Sequence, residues 1–434
     1  MIDAGKISWK IFLSLVLWLP AGLVSAQSLA SPSATFSEQT AYPIFTGKDN
    51  IYYFCGASAN PNGSLTATSG GAQVTFGWEK FNSNTGTFSY YSNDTGINSV
   101  LTGLGDGCYR VNFRDNGIDY QFRAWVKNGW ITPTASISDS NCEYFNLNGT
   151  VISADYSYSD LSTNQLIPQD PAYKYIWESE NKLIATVKNP IIQPPPPKNT
   201  DYYFQVTDRS GCMDRTKITY ESIVAEAKFS WKTNQPPVAQ FTNPEAPLDV
   251  QFVNESINGD VDKYEWTLFK EKSEIEKQGT DGAEVDSVME QIYLENPTYT
   301  YNRTGSYMVK LVAAKESPGY TCRDTFYLKD YIVIDTSLVK VAPAFTPNGD
   351  GINDILIIRT RSLEYLDFQI FNRWGRNVHH FHKSGFIPAD APLATWDGKT
   401  NNKIASPGVY FYVVDAAGRD GKRRRKKGFI ELIW

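Results

Sequence analysis

Imidazoles, clustered oxygen side chains, thiols and one run of cations are the groups in this 434-residue chain with types and spacings suited to chemistry. All three histidines fall in His379-His-Phe-His382, where a strand would put His380 and His382 on one face, as two ligands of a transition metal require. The plainer reading is a surface strand that carries histidines. Asn348-Gly-Asp-Gly-Ile-Asn-Asp354 suggests calcium by its closely spaced oxygens. In an EF-hand, however, the apolar residue stands two places after the loop glycine, and here Ile352 follows Gly351 directly, so a tight turn is the better account. The sequence implies no metal and no other cofactor. It lacks a nucleophile elbow, a His-Glu-x-x-His, a phosphate-binding glycine loop and a dinucleotide fingerprint. No Ser-His or Cys-His triad can draw on a histidine outside the C-terminal window. Paired carboxylates for glycoside hydrolysis stay open, but modules of about 100 residues leave no room for a separate catalytic domain. A non-enzymatic protein is expected.

The five cysteines show no Cys-x-x-Cys spacing of a zinc or redox site and fit an oxidising compartment. Pairing within modules is the economical expectation: Cys55 with Cys108 and Cys142 with Cys212, Cys322 being a buried or lone thiol. Each such bridge would contribute about 3–4 kcal/mol, and the connectivity itself is not fixed by sequence. Lys422-Arg-Arg-Arg-Lys-Lys427 is the strongest charge feature of a chain with formal net charge −6. These cations can meet phosphates or an acidic protein surface, or form a solvated hairpin. The net acidity gives no reason to expect nucleic acid.

The elements that must position these groups read as strands. Aromatics make up 14% of the residues and runs at helical period are almost absent, which suits serial β-sandwiches of roughly 100 residues. Near the C-terminus, Ile355 and Ile357 alternate with Leu356 and Ile358, predicting a strand apolar on both faces. Leu366, Phe368 and Ile370 form one face of the next strand. Val409, Phe411 and Val413 form one face of a later one, and Ile430, Leu432 and Trp434 make a last stripe. Asn-Gly-Asp-Gly and Trp-Asp-Gly supply turn residues. At the other end Lys6 and Lys10 precede the apolar run 11–24, and Val24-Ser-Ala26 offers a cleavage site, so 1–26 reads as a signal peptide. No further stretch is long enough to span a bilayer as a helix. The remaining chain divides into modules at 27–128, 129–232, 235–335 and 340–434.

Aromatic-x-Trp strands recur at Phe76-Gly-Trp78, Tyr175-Ile-Trp177 and Tyr264-Glu-Trp266. With the corner Leu104-Gly-Asp-Gly-Cys-Tyr-Arg-Val111 and the hairpin from Asn199 to Cys212, the first two modules resemble immunoglobulin-like sandwiches. Pro194–Pro197 reads as a stiff connection, a polyproline recognition segment being the alternative. In the third module, Val250-Gln-Phe-Val-Asn-Glu-Ser256, Asn296-Pro-Thr-Tyr-Thr-Tyr301 and Gly305-Ser-Tyr-Met-Val-Lys-Leu311 resemble the polycystic-kidney-disease (PKD) sandwich. A charged insertion from Lys270 to Glu295 replaces that family's usual turn. Within it, Val285, Val288, Met289 and Ile292 stand at i, i+3, i+4 and i+7, predicting a short helix.

The last segment carries five motif anchors in order: Phe345-Thr-Pro-Asn-Gly-Asp-Gly-Ile-Asn-Asp354, Phe368-Gln-Ile-Phe-Asn-Arg-Trp-Gly375, Trp396-Asp-Gly398, Pro407-Gly-Val-Tyr-Phe-Tyr412 and Lys427-Gly-Phe-Ile-Glu-Leu-Ile-Trp434. It resembles the gliding-motility-associated C-terminal domain, the type B sorting domain of proteins exported by the type IX secretion system in Bacteroidetes. The motif residues so implied are Phe345, Pro347, Asn348, Gly349, Asp350, Gly351, Asn353, Asp354, Asn372, Arg373, Trp374, Gly375, Trp396, Asp397, Gly398, Gly408 and Tyr410. The fold expected is all-β: tandem immunoglobulin-like and PKD-like β-sandwiches ending in a β-sandwich sorting domain. The resemblance implies a secreted protein on the extracellular face of the outer membrane. Its implied partners are the type IX translocon and a small outer-membrane β-barrel anchor protein. Lys422–Lys427 would then face lipopolysaccharide phosphates or that outer-membrane partner. The upstream modules would act in binding, adhesion or as a structural stalk. Two alternatives are an accessory subunit of the secretion or gliding machinery and a protein that binds surface polysaccharide.

Overall fold

The computed structural model describes residues 26–56, 60–235, 243–280, 284–387, 389 and 393–434; the expected signal peptide lies outside them apart from residue 26. Nearly every element is a strand, and Lys272–Thr280 is the one α-helix among the described residues. The chain forms two compact units. One takes residues up to Ser138 with Asn146–Ile191 and Asp201–Thr219. The other takes Asp139–Phe145, Ile192–Thr200 and Tyr220–Trp434.

In the first unit a six-stranded sheet runs in the order Phe36–Gln39, Asn50–Cys55, Ile118–Gly129, Gly107–Asp115, Val74–Asn82, Thr87–Gly96. It shares a core with a three-stranded sheet of Ser28–Ala30, Gly63–Thr68 and Asn98–Leu104. Strand alternation sends Val74, Phe76 and Trp78 inward, against Leu65, Val111 and Val126. Further along, Lys174–Ser179 pairs with residues of Thr200–Thr207 and brings Trp177 onto Phe204, ring centroids 4.6 Å apart.

The second unit holds another sandwich, in which Tyr264–Phe269 and Val309–Ser317 pack Trp266 and Leu311 against Phe229 and Phe252. The helix expected at 285–292 is not there. Val288–Ile292 is a strand paired with Tyr264–Phe269, and the helix lies upstream with no buried residue. Pairing the free edge of the Trp266 strand outweighs the helical spacing of four apolar residues, two of them β-branched valines with strand preference.

The closing sandwich sets a three-stranded sheet (Leu338–Val341, Leu356–Arg361, Leu393–Trp396) on a five-stranded one. The latter runs Ala344–Phe345, Arg423–Leu432, Gly408–Gly418, Leu363–Phe371, Asn377–Ile387. Leu366, Phe368 and Ile370 are buried as expected. Other stripes are reversed or thinner than predicted. Leu356 and Ile358 are buried, whereas Ile355 and Ile357 are exposed, so that strand is apolar on both faces but buried on one. Tyr410, Val414 and Ala416 point inward while Val409 and Phe411 point out, and Trp434 stays exposed beyond the strand that buries Ile430 and Leu432.

Two devices recur. Trp78, Trp177, Trp266 and Trp396 are fully buried, and each indole N–H finds an acceptor: Ser99 Oγ at 2.9 Å, and the carbonyls of Lys188 at 3.1, Leu294 at 2.8 and Lys399 at 2.9 Å. In a Gly-x-Tyr corner, the hydroxyls of Tyr109, Tyr307 and Tyr410 donate to the carbonyls four residues upstream, of Gly105, Arg303 and Ser406, at 2.9, 3.1 and 2.8 Å. The glycines two places before those tyrosines have φ of +148°, +146° and +134°, where a side chain is strained.

The disulfides correct the sequence expectation. Cys55 bonds Cys212, and Cys142 bonds Cys322, with Cα–Cα distances of 5.2 and 5.3 Å. Cys55 stands in register with Gly129, whereas Cys108, two strands away, stands in register with Trp125. A four-residue offset of roughly 13 Å along the strands is beyond disulfide reach. Cys108 is instead a free thiol buried among Ile51, Tyr53, Phe81 and Trp125. The bridges thus cross-link consecutive segments, closing separations of 157 and 180 residues. Loops of that length give about 5 kcal/mol each in the chain-entropy picture.

Candidate functional site

The expected motif residues lie in the closing sandwich, and the structure sorts them into a frame and a display. Phe345 is buried, its ring 5.3 Å from Trp396, and Tyr410 meets Trp396 edge-on at 5.0 Å. A Cβ on Gly398, whose φ is +74°, would stand 2.8 Å from Pro347, so the Trp-Asp-Gly turn and the Asn-Gly-Asp-Gly turn need glycine to lie this close. Asp397 accepts from the Lys399 N–H at 3.0 Å. These anchors, separated in sequence, buttress one another.

The oxygens of Asn348–Asp354 are spent on the chain itself. Asp354 accepts from the N–H groups of Gly349 (2.6 Å) and Gly351 (2.7 Å), and Asp350 from the Ile352 N–H (2.7 Å) and the Asn348 amide (2.9 Å). Gly349, Gly351 and Asn353 have φ of +83°, +84° and +55°, as a tight turn demands. Hydrogen bonds from Asn348 and then the Ile352 N–H hold the Asp350 carboxyl below its ordinary pKa.

Asn372-Arg-Trp-Gly375 forms the hairpin between Leu363–Phe371 and Asn377–Ile387. The Asn372 side-chain oxygen accepts from the N–H groups of Trp374 and Arg376, both at 3.0 Å, and Gly375 has φ of +76°. Trp374 is 80% exposed, with the Arg373 guanidinium 5.7 Å from its ring centre. It is displayed, not packed.

The basic run is mostly strand: Lys422 sits in the turn and Arg423–Lys427 begin Arg423–Leu432. Much of its charge is internally engaged. Arg423 forms a two-pronged pair with Asp415 at 2.7 and 2.5 Å, and Arg424 one with Asp420 at 3.0 and 2.6 Å. Arg425 shares Asp415 at 3.6 Å, and the Lys426 ammonium donates to the Val339 carbonyl at 2.8 Å. Burial would raise the pKa of Asp420, but hydrogen bonds from Arg424, Ser337 and the Lys422 N–H outweigh it and hold the carboxyl at about 2. Among the described residues Lys422 and Lys427 have no ion-pair partner.

His380 and His382 do share a face, as expected, and both turn to Asp367 on the neighbouring strand, at 2.7 and 3.5 Å. Burial works against the Asp367 carboxylate, but hydrogen bonds from His380 and Gln369 overcome it and lower its pKa. His379 points to the other side, stacks on Trp396, and is pushed below the ordinary imidazole pKa by burial. Among the described residues no group of three or more His, Cys, Asp or Glu side chains converges as a metal site.

Two features escaped the sequence reading. One is the seam with the preceding sandwich. Arg361 is buried and pairs with Asp335 at 2.6 Å. Buried Glu245 accepts from the Ser362 N–H (2.9 Å) and the Ala389 N–H (2.6 Å), and the Ser362 hydroxyl accepts from the Ala246 N–H at 3.1 Å. The other is a row of outward phenylalanines. Its signal was present: the Gly408-x-Tyr410 corner turns Tyr410 inward and therefore Phe411 outward.

Residues 339–432 match the CHU_C Type IX secretion signal domain. The frame of turns described above is the folded core of that signal domain, and its presence implies export by the type IX system. No curated protein matches the chain. Among solved structures, a tetra-tandem repeat from the extending region of a large adhesion protein is 13% identical, with a TM-score of 0.26, over 86% of this chain and 96% of that one. The titin I-band fragment I67–I69 is 12% identical, with a TM-score of 0.30, over 66% and 96%. At these scores the likeness carries no functional argument. No helix among the described residues is long and apolar enough to cross a membrane.

Proposed function

We propose that this chain is a non-enzymatic surface protein, exported by the type IX system and held at the outer membrane through its C-terminal domain. The type IX translocon and a small outer-membrane β-barrel are its partners in this reading, and the upstream sandwiches form a binding or structural stalk. The observation that carries the reading is the secretion signal match at residues 339–432. The two inter-segment disulfides add support, since a cross-linked stalk suits an oxidising exterior. A surface polysaccharide is a further candidate partner, favoured by Tyr90, 72% exposed on the strand Thr87–Gly96.

Truncation tests the reading. Ending the chain at residue 338 removes the matched domain and leaves both disulfides intact. The truncated chain is expected to stay in the periplasm of its native host, folded and oxidised. Its appearance at the cell surface at the level of the full chain overturns the proposal.

A further inference from the structure

The outward face of the five-stranded sheet is sorted by row. The register places Phe371, Phe411 and Phe429 side by side on three adjacent strands, with Phe411 51% and Phe429 63% exposed. At the spacing of paired strands the three rings span about 10 Å. Val409, 48% exposed, stands next to the row, two residues before Phe411 on the same strand, and Trp374 lies three residues beyond Phe371 in the hairpin. On one side the next row of the same face, Gln369, Val413 and Lys427, is polar at its two outer positions, and the row after it, Asp367, Asp415 and Arg425, is charged throughout. A solvated sheet face has no use for three aligned phenylalanines, and such a patch with a polar rim marks an interaction surface.

The charges around the row give it a direction. Asp415 is shared by Arg423 and Arg425, Asp367 is engaged by His380, and Lys427 borders the rings with no ion-pair partner among the described residues. Positive charge is thus in surplus on one border, while Glu431, in register with Val409, stands on the other. Carboxylates interspersed on the face make it a poor match for an anionic bilayer. We propose that this face is the docking surface through which the export machinery reads the domain. The partner is a protein presenting an apolar strip with carboxylates on the flank that meets Lys427 and Arg425. The proposal rests on the reading of residues 339–432 as an export signal.

The test uses the full chain in its native host, comparing periplasmic and protease-accessible surface fractions. Phe411→Thr with Phe429→Thr keeps strand-favouring residues and is expected to lower the surface fraction at least about tenfold, while the purified protein melts as the wild type does. Phe411→Leu with Phe429→Leu is expected to restore export, and Lys427→Glu, at an exposed position, to reduce it. Wild-type export of the threonine pair, alongside a 338-residue truncation that stays periplasmic, overturns the docking face and leaves the export reading standing. A truncation that reaches the surface overturns the export reading itself. Binding of the purified chain to phosphatidylglycerol vesicles that the threonine pair abolishes would overturn the choice of a protein partner.

Discussion

The secretion signal domain shows two contrasting surfaces, one turned to the preceding sandwich and one turned outward. In the seam, charged and polar groups are buried: Arg361, Glu245 and the hydroxyl of Ser362 are nearly inaccessible; Arg361 is matched by Asp335, and Glu245 by the N–H groups of Ser362 and Ala389. On the outward sheet face, phenyl rings are exposed. This inverts the usual distribution of polarity. Buried charge that is paired adds orientation more than stability, so the seam fixes how the domain is carried. Rings exposed on a sheet face add only about 0.2–1 kcal/mol per cross-strand pair to the isolated fold, which leaves most of their apolar surface free for a partner.

The largest expected effect lies in the seam. Arg361→Ala removes a buried guanidinium from the Asp335 carboxylate and the Asn243 carbonyl and should cost about 3–5 kcal/mol in denaturant unfolding of the full chain; a loss below about 1 kcal/mol would mean that the seam is not a real junction. In the frame, Trp396→Ala should cost a similar 3–5 kcal/mol by opening a cavity. Trp374→Ala, at an exposed site, should stay within about 0.5 kcal/mol. Equal costs for the two tryptophans would erase the division between frame and display.

The smallest effect concerns pH. The Asp420 carboxyl is held at about 2, below the ordinary aspartate value of 3.8. A group depressed on folding contributes stability above its unfolded pKa, near 4, and that contribution is lost as pH falls through 4 toward 2. Wild type and Asp420→Asn should therefore differ in melting temperature at pH 5 and converge toward pH 2. A difference that persists unchanged at pH 2 would show that the Arg424 pair is not its source.

Much of this frame was legible in the sequence, because a tryptophan on an alternating strand and a glycine before a turn each have few physical options. Trp78, Trp177 and Trp266 stand where the aromatic-x-Trp pattern put them. Alternation failed where both faces of a strand are apolar: Val409–Val413 satisfies period two in either phase, and only the tyrosine corner selects one. The disulfides were not legible because reach depends on register, not on spacing. Non-reducing peptide maps should recover Cys55–Cys212 and Cys142–Cys322, with Cys108 alkylated only after unfolding; Cys55 joined to Cys108 would contradict the register. Arg361 gave no local signal at all, since its partners Asn243 and Asp335 belong to the preceding sandwich.

The central claim is that the closing domain is an address read on its aromatic face. The most direct measurement fuses residues 27–434, with every sandwich core and both disulfides kept, to a foreign secreted β-sandwich and follows surface display by protease shaving in a type IX-competent host. The account predicts that the wild-type fusion reaches the surface and that the fusion carrying Phe411→Thr and Phe429→Thr stays periplasmic though folded. Equal display of the two fusions would contradict it.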